Sequence, residues 1–410
     1  MSEAATANSV PAPASRTKPR SASSSVMQSL LPIMAVVAIG FLVIGFALPV
    51  LPLHVSQGLG FGAFTVGLVT GSQFAAALVS RVWAGHFADG KGPKNGVTVG
   101  LIAAAAGGAL YLLSVMVRSP SASVSLLLAG RAVLGGAESF IITGAVSWGL
   151  ALVGAQGAGR VIAWVGTAMF GALAIGAPIG TTLYNAAGFG GVALATAIIP
   201  LATLLVVARV PAAKPQHTGA KSGFASVAKA VWLPGIGAAL SSIGFGAILT
   251  FASLLFVHRG WTPVWLAFTA YALALVAARL GLGQLPDRIG GARVALVSAL
   301  VEAFGLALIW LAPGALTAAI GAALTGFGYA LVYPALGVEA VRRAPPQSRG
   351  LVMGMYTAFL DVALGFGTPA LGLIANSSGL GSVFLVSTFL VLATTISAVC
   401  LLASPKRRTT

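Results

Sequence analysis

Twelve apolar stretches, each close to the ~20 residues that a helix needs to cross a lipid bilayer, run through this 410-residue chain and leave it few ways to fold. They cover 29–54, 63–84, 96–117, 122–150, 161–184, 189–208, 231–256, 264–282, 293–311, 315–338, 351–374 and 381–402. Gly, Pro and charged residues cluster between them, where helix breakers belong. Charged residues make up 7% of the chain and hydrophobic ones 58%, whereas a soluble domain carries about 25% charged residues. So little polar surface cannot cover a globule in water, and the solvent of this chain is therefore lipid. The 53 glycines agree, because small residues let membrane helices approach closely. The expectation is an all-α membrane protein with twelve transmembrane helices.

A formal net charge of +16 would suggest a nucleic-acid partner if the chain were soluble. The distribution of the charge argues otherwise. Counted across alternate connections, twenty Lys and Arg fall on the side of the N-terminus, Arg118 and Arg259 fall on the other, and Arg131 lies inside a span. Basic connections stay cytoplasmic, so both termini are expected in the cytoplasm, and the basic balance needs no nucleic acid.

The longest connection on that side, 209–230, carries Pro211, Pro215 and four basic residues, and it separates six spans from six. The expected organisation is a disordered cytoplasmic tail over 1–25, a six-helix bundle over 26–208, the linker 209–230, a second six-helix bundle over 231–403, and a basic cytoplasmic tail over 404–410. The first tail is rich in Ala, Ser and Pro, and the apolar run after it is too long for a signal peptide. Cys400 is the one cysteine, and His54, His86, His217 and His258 are scattered, so no disulfide, metal site or cofactor is expected. The chain shows no Walker-type phosphate loop. The spans carry no nucleophile–base pair that would suggest an enzyme, and no segment is long enough for the soluble domain of a sensor.

Two short stretches stand out against the apolar background. Residues 85–92 read GHFADGKG and residues 283–290 read GQLPDRIG. Asp89 and Asp287 are 198 residues apart, as are Gly85 and Gly283, Gly92 and Gly290, and Arg81 and Arg279. Four matches at one offset point to a chain built of two related halves. Such duplicated halves, with a binding site between them near the midplane, are a recurrent transporter architecture.

With these motifs the chain resembles the major facilitator superfamily of secondary transporters over nearly its whole length. The connection after the second span is similar to the family's G-x-L-A-D-x-x-G-x-K pattern, carried here by Gly85, Phe87, Ala88, Asp89, Gly92 and Lys94. Gly90 and Pro93 depart from it. The fourth span carries RAVLGGAES from Arg131 to Ser139, similar to the family's R-x-x-x-G motif. The fifth carries GAPIG, Gly176 to Gly180, similar to the antiporter G-P-x-x-G-G signature, with a partner GTPALG at Gly367 to Gly372. SRVWAGHFADGKGPK and YPALGVEAVRRAP further resemble a bacterial subgroup of arabinose-type or sugar-efflux permeases, the YfcJ/YhhS-like proteins. The resemblance implies two pseudo-symmetric six-helix bundles, a bacterial inner-membrane location and a functional monomer, because one chain holds both halves.

The glycines of the first motif allow a tight turn, which puts Asp89 at the cytoplasmic mouth. There its carboxylate can accept from helix N-terminal amides or pair with an arginine. The expectation is a gate of Gly85, Asp89, Gly92 and Lys94, with Arg81 and Arg279 as candidate partners. Asp287 and Arg288 hold the equivalent place in the second half. The alternative is a loop that only caps two helices.

Charge inside a span is costly and informative. Glu138, Glu302, Asp361 and Arg131 fall there. Arg131 and Glu138 are seven residues apart, hence on nearly one helix face, and an arginine at that depth stays ionised. In the related antiporters the motif arginine is linked to protons. A static charge pair is the alternative. A carboxylate in low dielectric takes up a proton more readily. Glu138 and Asp361 are thus the leading proton or substrate sites with Arg131, and Glu302 is read as structural because ninth spans in this family are peripheral. The family fold implies a cavity among the central spans, where Gln73, Trp164, Phe170, Phe245, Tyr271, Tyr329, Tyr333 and Tyr356 would supply aromatic faces and amides; packing is the alternative for each. Pro49 and Pro52 in the first span, and Gly176, Pro178 and Gly180 in the fifth, are expected to act as hinges. The function so implied is proton-coupled efflux of a small organic solute by alternating access, a sugar-like one favoured by resemblance. Multidrug–proton antiport and uptake by symport remain alternatives.

Overall fold

The computed structural model of the chain describes residues 21–153, 158–212, 224–344 and 349–403. The tails over 1–20 and 404–410 and the middle of the expected linker lie outside these residues. Every regular element among the described residues is helical. In chain order they are α1 (Ser21–Leu53), α2 (Ala63–Lys91), α3 (Pro93–Met116), α4 (Pro120–Val153), α5 (Ala158–Arg209), α6 (Phe224–His258), α7 (Leu266–Leu282), α8 (Leu285–Ile289), α9 (Gly291–Trp310), α10 (Ala315–Arg343), α11 (Arg349–Ser378) and α12 (Leu380–Ala403).

Ten helices are long and apolar enough to cross a membrane. One of them, α5, is two spans. Gly188 stands at φ 63°, ψ −168° and breaks it into limbs over 158–187 and 189–209. The 17-residue α7 completes the set of twelve, and α8 is a single turn between spans. The twelve spans expected from hydropathy are therefore present, with the sixth contributed by the second limb of α5.

The two halves pack as two six-helix bundles. In the first, α1 lies on α5, α3 on α4 and α5, and α2 on α4; in the second, α10 lies on α7 and α9, and α12 on α6 and α9. Three seams join the bundles: α2 against α11, the first limb of α5 against α7, and α1 against α6. The repeat first seen in sequence is also a repeat of backbone. Gly92 ends α2 and opens α3 at φ 93°, ψ 148°, and Gly290 ends α8 and opens α9 at φ 98°, ψ 137°. Side-chain-bearing residues rarely take that conformation, which explains glycine at both sites.

The seams are closed at the end of the bundles remote from the two termini. There the helices of the α2–α11 seam approach so nearly that a Cβ on Gly67 would collide with the Thr368 carbonyl. Thr368 Oγ1 donates to the Gly67 carbonyl at 3.0 Å and Asn376 Oδ1 accepts from the Ala63 amide at 2.9 Å. Thr269 Oγ1 ties α7 to the Ala174 carbonyl of α5 at 3.1 Å. Close approach at a glycine, bridged by side-chain-to-backbone hydrogen bonds, holds two helices in register without covalent linkage.

Candidate functional site: a charged cavity between the bundles

A cavity of about 310 Å³ lies between the bundles, within the size range of small-molecule sites. Its walls are mostly apolar, with Phe41 and Ile44 from α1, Phe74 from α2, Met169 and Phe170 from α5, and Leu249 from α6. The lining reaches Val146, Ile162 and Met353, which lie toward the termini ends of α4, α5 and α11. Against this background stand three arginines and two acids: Arg81, Arg131, Arg279, Glu138 and Asp361.

Arg81 of α2 reaches across the seam to Asp361 of α11. Its Nε donates to Oδ2 and its Nη2 to Oδ1, both at 3.0 Å, with Nη2 to Oδ2 at 2.8 Å. This fork matches the planar guanidinium to both carboxylate oxygens. The Asp361 side chain is 2% exposed and that of Arg81 25%, so the pair is sheltered and screened little by solvent. Sequence reasoning placed Arg81 beside Asp89. The structure gives it a partner in the other bundle instead, because it sits nearly three turns inside the end of α2.

Glu138 and Arg131, on one face of α4, do not pair directly with each other. Their side chains make no ion pair with each other among the described residues; seven residues of helix separate them by about 10 Å. Glu138 Oε2 accepts from Gln73 Nε2 at 2.7 Å. The contact exists because α2 and α4 pack tightly: a Cβ on Gly135 would run into the Gln73 carbonyl, and Ser139 Oγ donates to the Ala77 carbonyl at 3.0 Å. Arg131 is 1% exposed, and its Nε and Nη1 have no acceptor. The Tyr111 hydroxyl and the Glu138 carboxyl act on its charge, so the cost of burying the ion is offset only in part.

Arg279 of α7 leans across the other seam. Its guanidinium carbon lies 4.8 Å from the centre of the Phe170 ring on α5, and its Nε has no acceptor. It too lies in the cavity wall and not at the mouth with Asp89. The signal for both arginines was their repeat at one offset, which marked them as equivalent but not as partners of anything.

The aromatic expectations divide. Gln73, Phe170, Phe245, Tyr329 and Tyr333 line the cavity. Trp164, Tyr271 and Tyr356 do not. Tyr271 stacks behind Phe245 at 5.6 Å, and Tyr356 supports Tyr333 at 5.0 Å while donating to the Tyr333 carbonyl at 2.6 Å. Trp164 is partly buried against the core. Tyr333 and Thr357 hydroxyls join α10 to α11 at 3.0 Å. Glu302, 0% exposed, is packed inside the second bundle, where its Oε2 accepts from Ser241 Oγ at 2.6 Å; it is not in the cavity wall.

The gate residues are dispersed. Asp89, at the last turn of α2, has no ion pair or hydrogen bond among the described residues, and neither does Asp287 in α8. Gly85 has open space beside it. Arg288 donates to Gln284 Oε1 at 2.9 Å. Lys94 points elsewhere: its Nζ donates to the carbonyls of Ala208 at 3.2 Å and Val210 at 2.7 Å, which caps the second limb of α5. The hinge residues form close contacts. Gly176 and Gly180 press on the backbone of α1 at Leu42, Gly45 and Phe46, with Pro178 between them. Pro49 and Pro52 occupy the end of α1, which passes into a wider π turn, His54–Gly58, as expected where proline withholds amides from the helical ladder.

Known proteins agree with this architecture. The sequence profile of the Major Facilitator Superfamily matches residues 33–268 and again 235–410. An uncharacterized MFS-type transporter of Salmonella typhimurium is 41% identical over 364 residues, 88% of this chain and 92% of the relative. One from Burkholderia mallei is 42% identical over 381 residues, 92% of this chain and 91% of the relative. Among solved structures, a D-xylose–proton symporter superposes with a TM-score of 0.74 at 14% identity, covering 93% of this chain and 99% of that one. A nucleoside transporter superposes at 0.71 and 14% identity, covering 91% and 99%. These proteins are transporters and not enzymes, and at that identity the structural likeness speaks for the fold. The chain thus belongs to the major facilitator superfamily and is a multi-pass membrane transporter for a small molecule.

Proposed function

We propose that the protein exports a small organic solute in exchange for protons, by alternating access between its two bundles. The observation that carries this reading is the Arg81–Asp361 pair. It joins the two bodies that must separate, and it does so inside the cavity where a solute would sit. A proton arriving on the Asp361 carboxylate removes the negative charge that holds Arg81. The fork then loses its charge assistance, and the α2–α11 seam is free to part. When Asp361 releases the proton, the pair reforms. Glu138, held by Gln73 in the same cavity, is a second carboxylate through which Arg81 and the proton would communicate. Asp89 and Asp287 would form their contacts in the opposite state, with the termini end closed.

In this reading both termini lie in the cytoplasm, which the basic connections support, and the membrane is the bacterial inner membrane, which the bacterial relatives support. The functional unit is one chain, with the division at the linker 209–230. A sugar-like ring is the solute favoured by the subgroup resemblance, and Gln73, Tyr329, Tyr333 and Thr357 offer hydrogen bonds for it. The fold is shared with a D-xylose–proton symporter. A second reading, an amphipathic drug-like solute, is favoured by the apolar walls.

Proton flux in inside-out vesicles tests the reading, with a pH-sensitive dye and serial additions of sugars and lipophilic compounds. Solute-dependent proton movement is expected in the wild type and its loss in Asp361→Asn. Solute movement that is equal in wild type, Asp361→Asn and Glu138→Gln, with no proton movement, would overturn the coupling.

A further inference from the structure

The two seams that flank the cavity are related by the internal repeat, but their chemistry differs. Arg81 and Arg279 are equivalent at the 198-residue offset. The helices they face are also equivalent: Gly176 and Pro178 of the GAPIG stretch match Gly367 and Pro369 of GTPALG, at an offset of 191 residues. At that same offset the counterpart of Asp361 is Phe170. Each arginine therefore meets the corresponding residue of the opposite bundle. Arg81 meets a carboxylate at 2.8 Å. Arg279 meets the face of a phenyl ring at 4.8 Å. One seam carries a cation with its anion, and the other carries a cation alone.

The rest of the cavity does not supply the missing charge. Asp361 is committed to Arg81. Glu138 is bonded to Gln73 and has no arginine within ion-pair reach among the described residues. Arg131 adds a second guanidinium with buried, unpartnered nitrogens in the same wall. With both acids ionised the lining carries one net positive charge, and more when either is protonated. A guanidinium cannot shed its proton to relieve this. An anion is the remaining means of balance, and the donors of Arg279 and Arg131 are those that an oxyanion accepts from best.

We propose that the transported solute is an organic anion with an apolar or aromatic body, its carboxylate or sulfonate seated on Arg279 and its body against Phe170 and the neighbouring apolar wall. Arg131 supplies the second positive charge that draws the anion into the cavity. This rests on the reading of the cavity as the solute site and narrows its substrate class. It also accounts for the guanidinium lying over the ring: the ring holds Arg279 by its face while its N–H donors remain for the solute.

The test is isothermal titration calorimetry of the purified full chain with three probes of one size class: naphthalene-2-sulfonate, the neutral naphthalene-2-sulfonamide, and the cation tetraphenylphosphonium. Saturable sulfonate binding, about tenfold or more tighter than that of the sulfonamide, is expected. Arg279→Gln is expected to abolish that preference and Arg279→Lys to keep part of it. The wild-type comparison of sulfonate with sulfonamide needs no variant, so a poorly folded Arg279→Gln protein does not spare the proposal. Equal affinity for sulfonate and sulfonamide, preference for the cation, or absence of saturable sulfonate binding would each overturn it. The transport reading is separable from this result. Proton flux driven by a neutral sugar or a cation, but by no anion, would remove the anion assignment and leave proton-coupled transport in place. Sulfonate binding without any proton flux would do the reverse.

Discussion

Arg81 and Asp361 lie 280 positions apart in sequence and join opposite bundles through a two-point fork, with Nη2 to Oδ2 at 2.8 Å. No other ion pair among the described residues crosses between the bundles, since the remaining ones lie within α10. The pair is therefore placed to report, and to bias, whether the α2–α11 seam is shut.

Asp361→Asn and Arg81→Gln are each expected to shift the protein toward the parted seam. A hydrogen bond to a charged group contributes about 1.5–3 kcal/mol, enough to change a two-state population by roughly tenfold or more. Thiol labelling checks this with Thr368→Cys, a position 1% exposed that faces Gly71 across the seam, in a Cys400→Ser background, since Cys400 is exposed. Labelling should rise in both variants and fall back in the Arg81→Asp/Asp361→Arg exchange. Unchanged labelling would show that the pair does not hold the seam.

Gly67→Val tests the sealed end directly. Even a Cβ at position 67 meets the Thr368 carbonyl, and neither backbone can yield without parting the helices. The variant should fold, because the clash is between bundles and not inside one, but should lose most of its transport. Reagents applied from the side remote from the termini should reach Thr368→Cys in the variant far more readily than in the parent. Wild-type transport by Gly67→Val would mean that this contact is not maintained during the cycle.

Lys94 separates a gate from a cap. Its ammonium bonds the last carbonyls of α5 within the same bundle, a placement worth about 0.3–1 kcal/mol at a helix C-terminus. Lys94→Met should lower the melting temperature slightly and leave transport nearly intact, while Asp89→Asn should impair transport without destabilising the protein. Parallel melting curves and uptake assays decide this. The opposite pattern would return Lys94 to the gate.

Glu302 meets no cation among the described residues; its Oε2 accepts from Ser241, while its Oε1 is buried without a partner. Glu302→Gln keeps an acceptor of the same shape and is expected to transport within about twofold of wild type, with stability changed by less than about 1 kcal/mol. Glu302→Ala opens a void beside Gly244 and Leu306 and should cost about 2–4 kcal/mol. A transport defect in Glu302→Gln at normal stability would give this residue a role in coupling.

Composition and hydropathy determined the solvent, the helical class and the twelve spans, and a motif repeated at one offset revealed the duplicated halves. Each of these is a local property, since a helix in lipid satisfies its own backbone hydrogen bonds whatever its neighbours do. The glycines at 92 and 290 were legible for the same reason: backbone conformation at a turn depends on that residue. The partnerships were not legible. Arg131 and Glu138 share a helix face, yet Glu138 bonds to Gln73 because glycine at 135 lets α2 approach α4. Arg81 reads as a mouth residue by its nearness to Asp89, yet it bonds to Asp361 because the α2–α11 seam brings distant residues within 3 Å. Phe170 and Asp361 look unrelated until both are seen under equivalent arginines. Which charges meet depends on how two bundles lie against each other, and that arrangement is set by non-local packing to which no single stretch of sequence is sensitive.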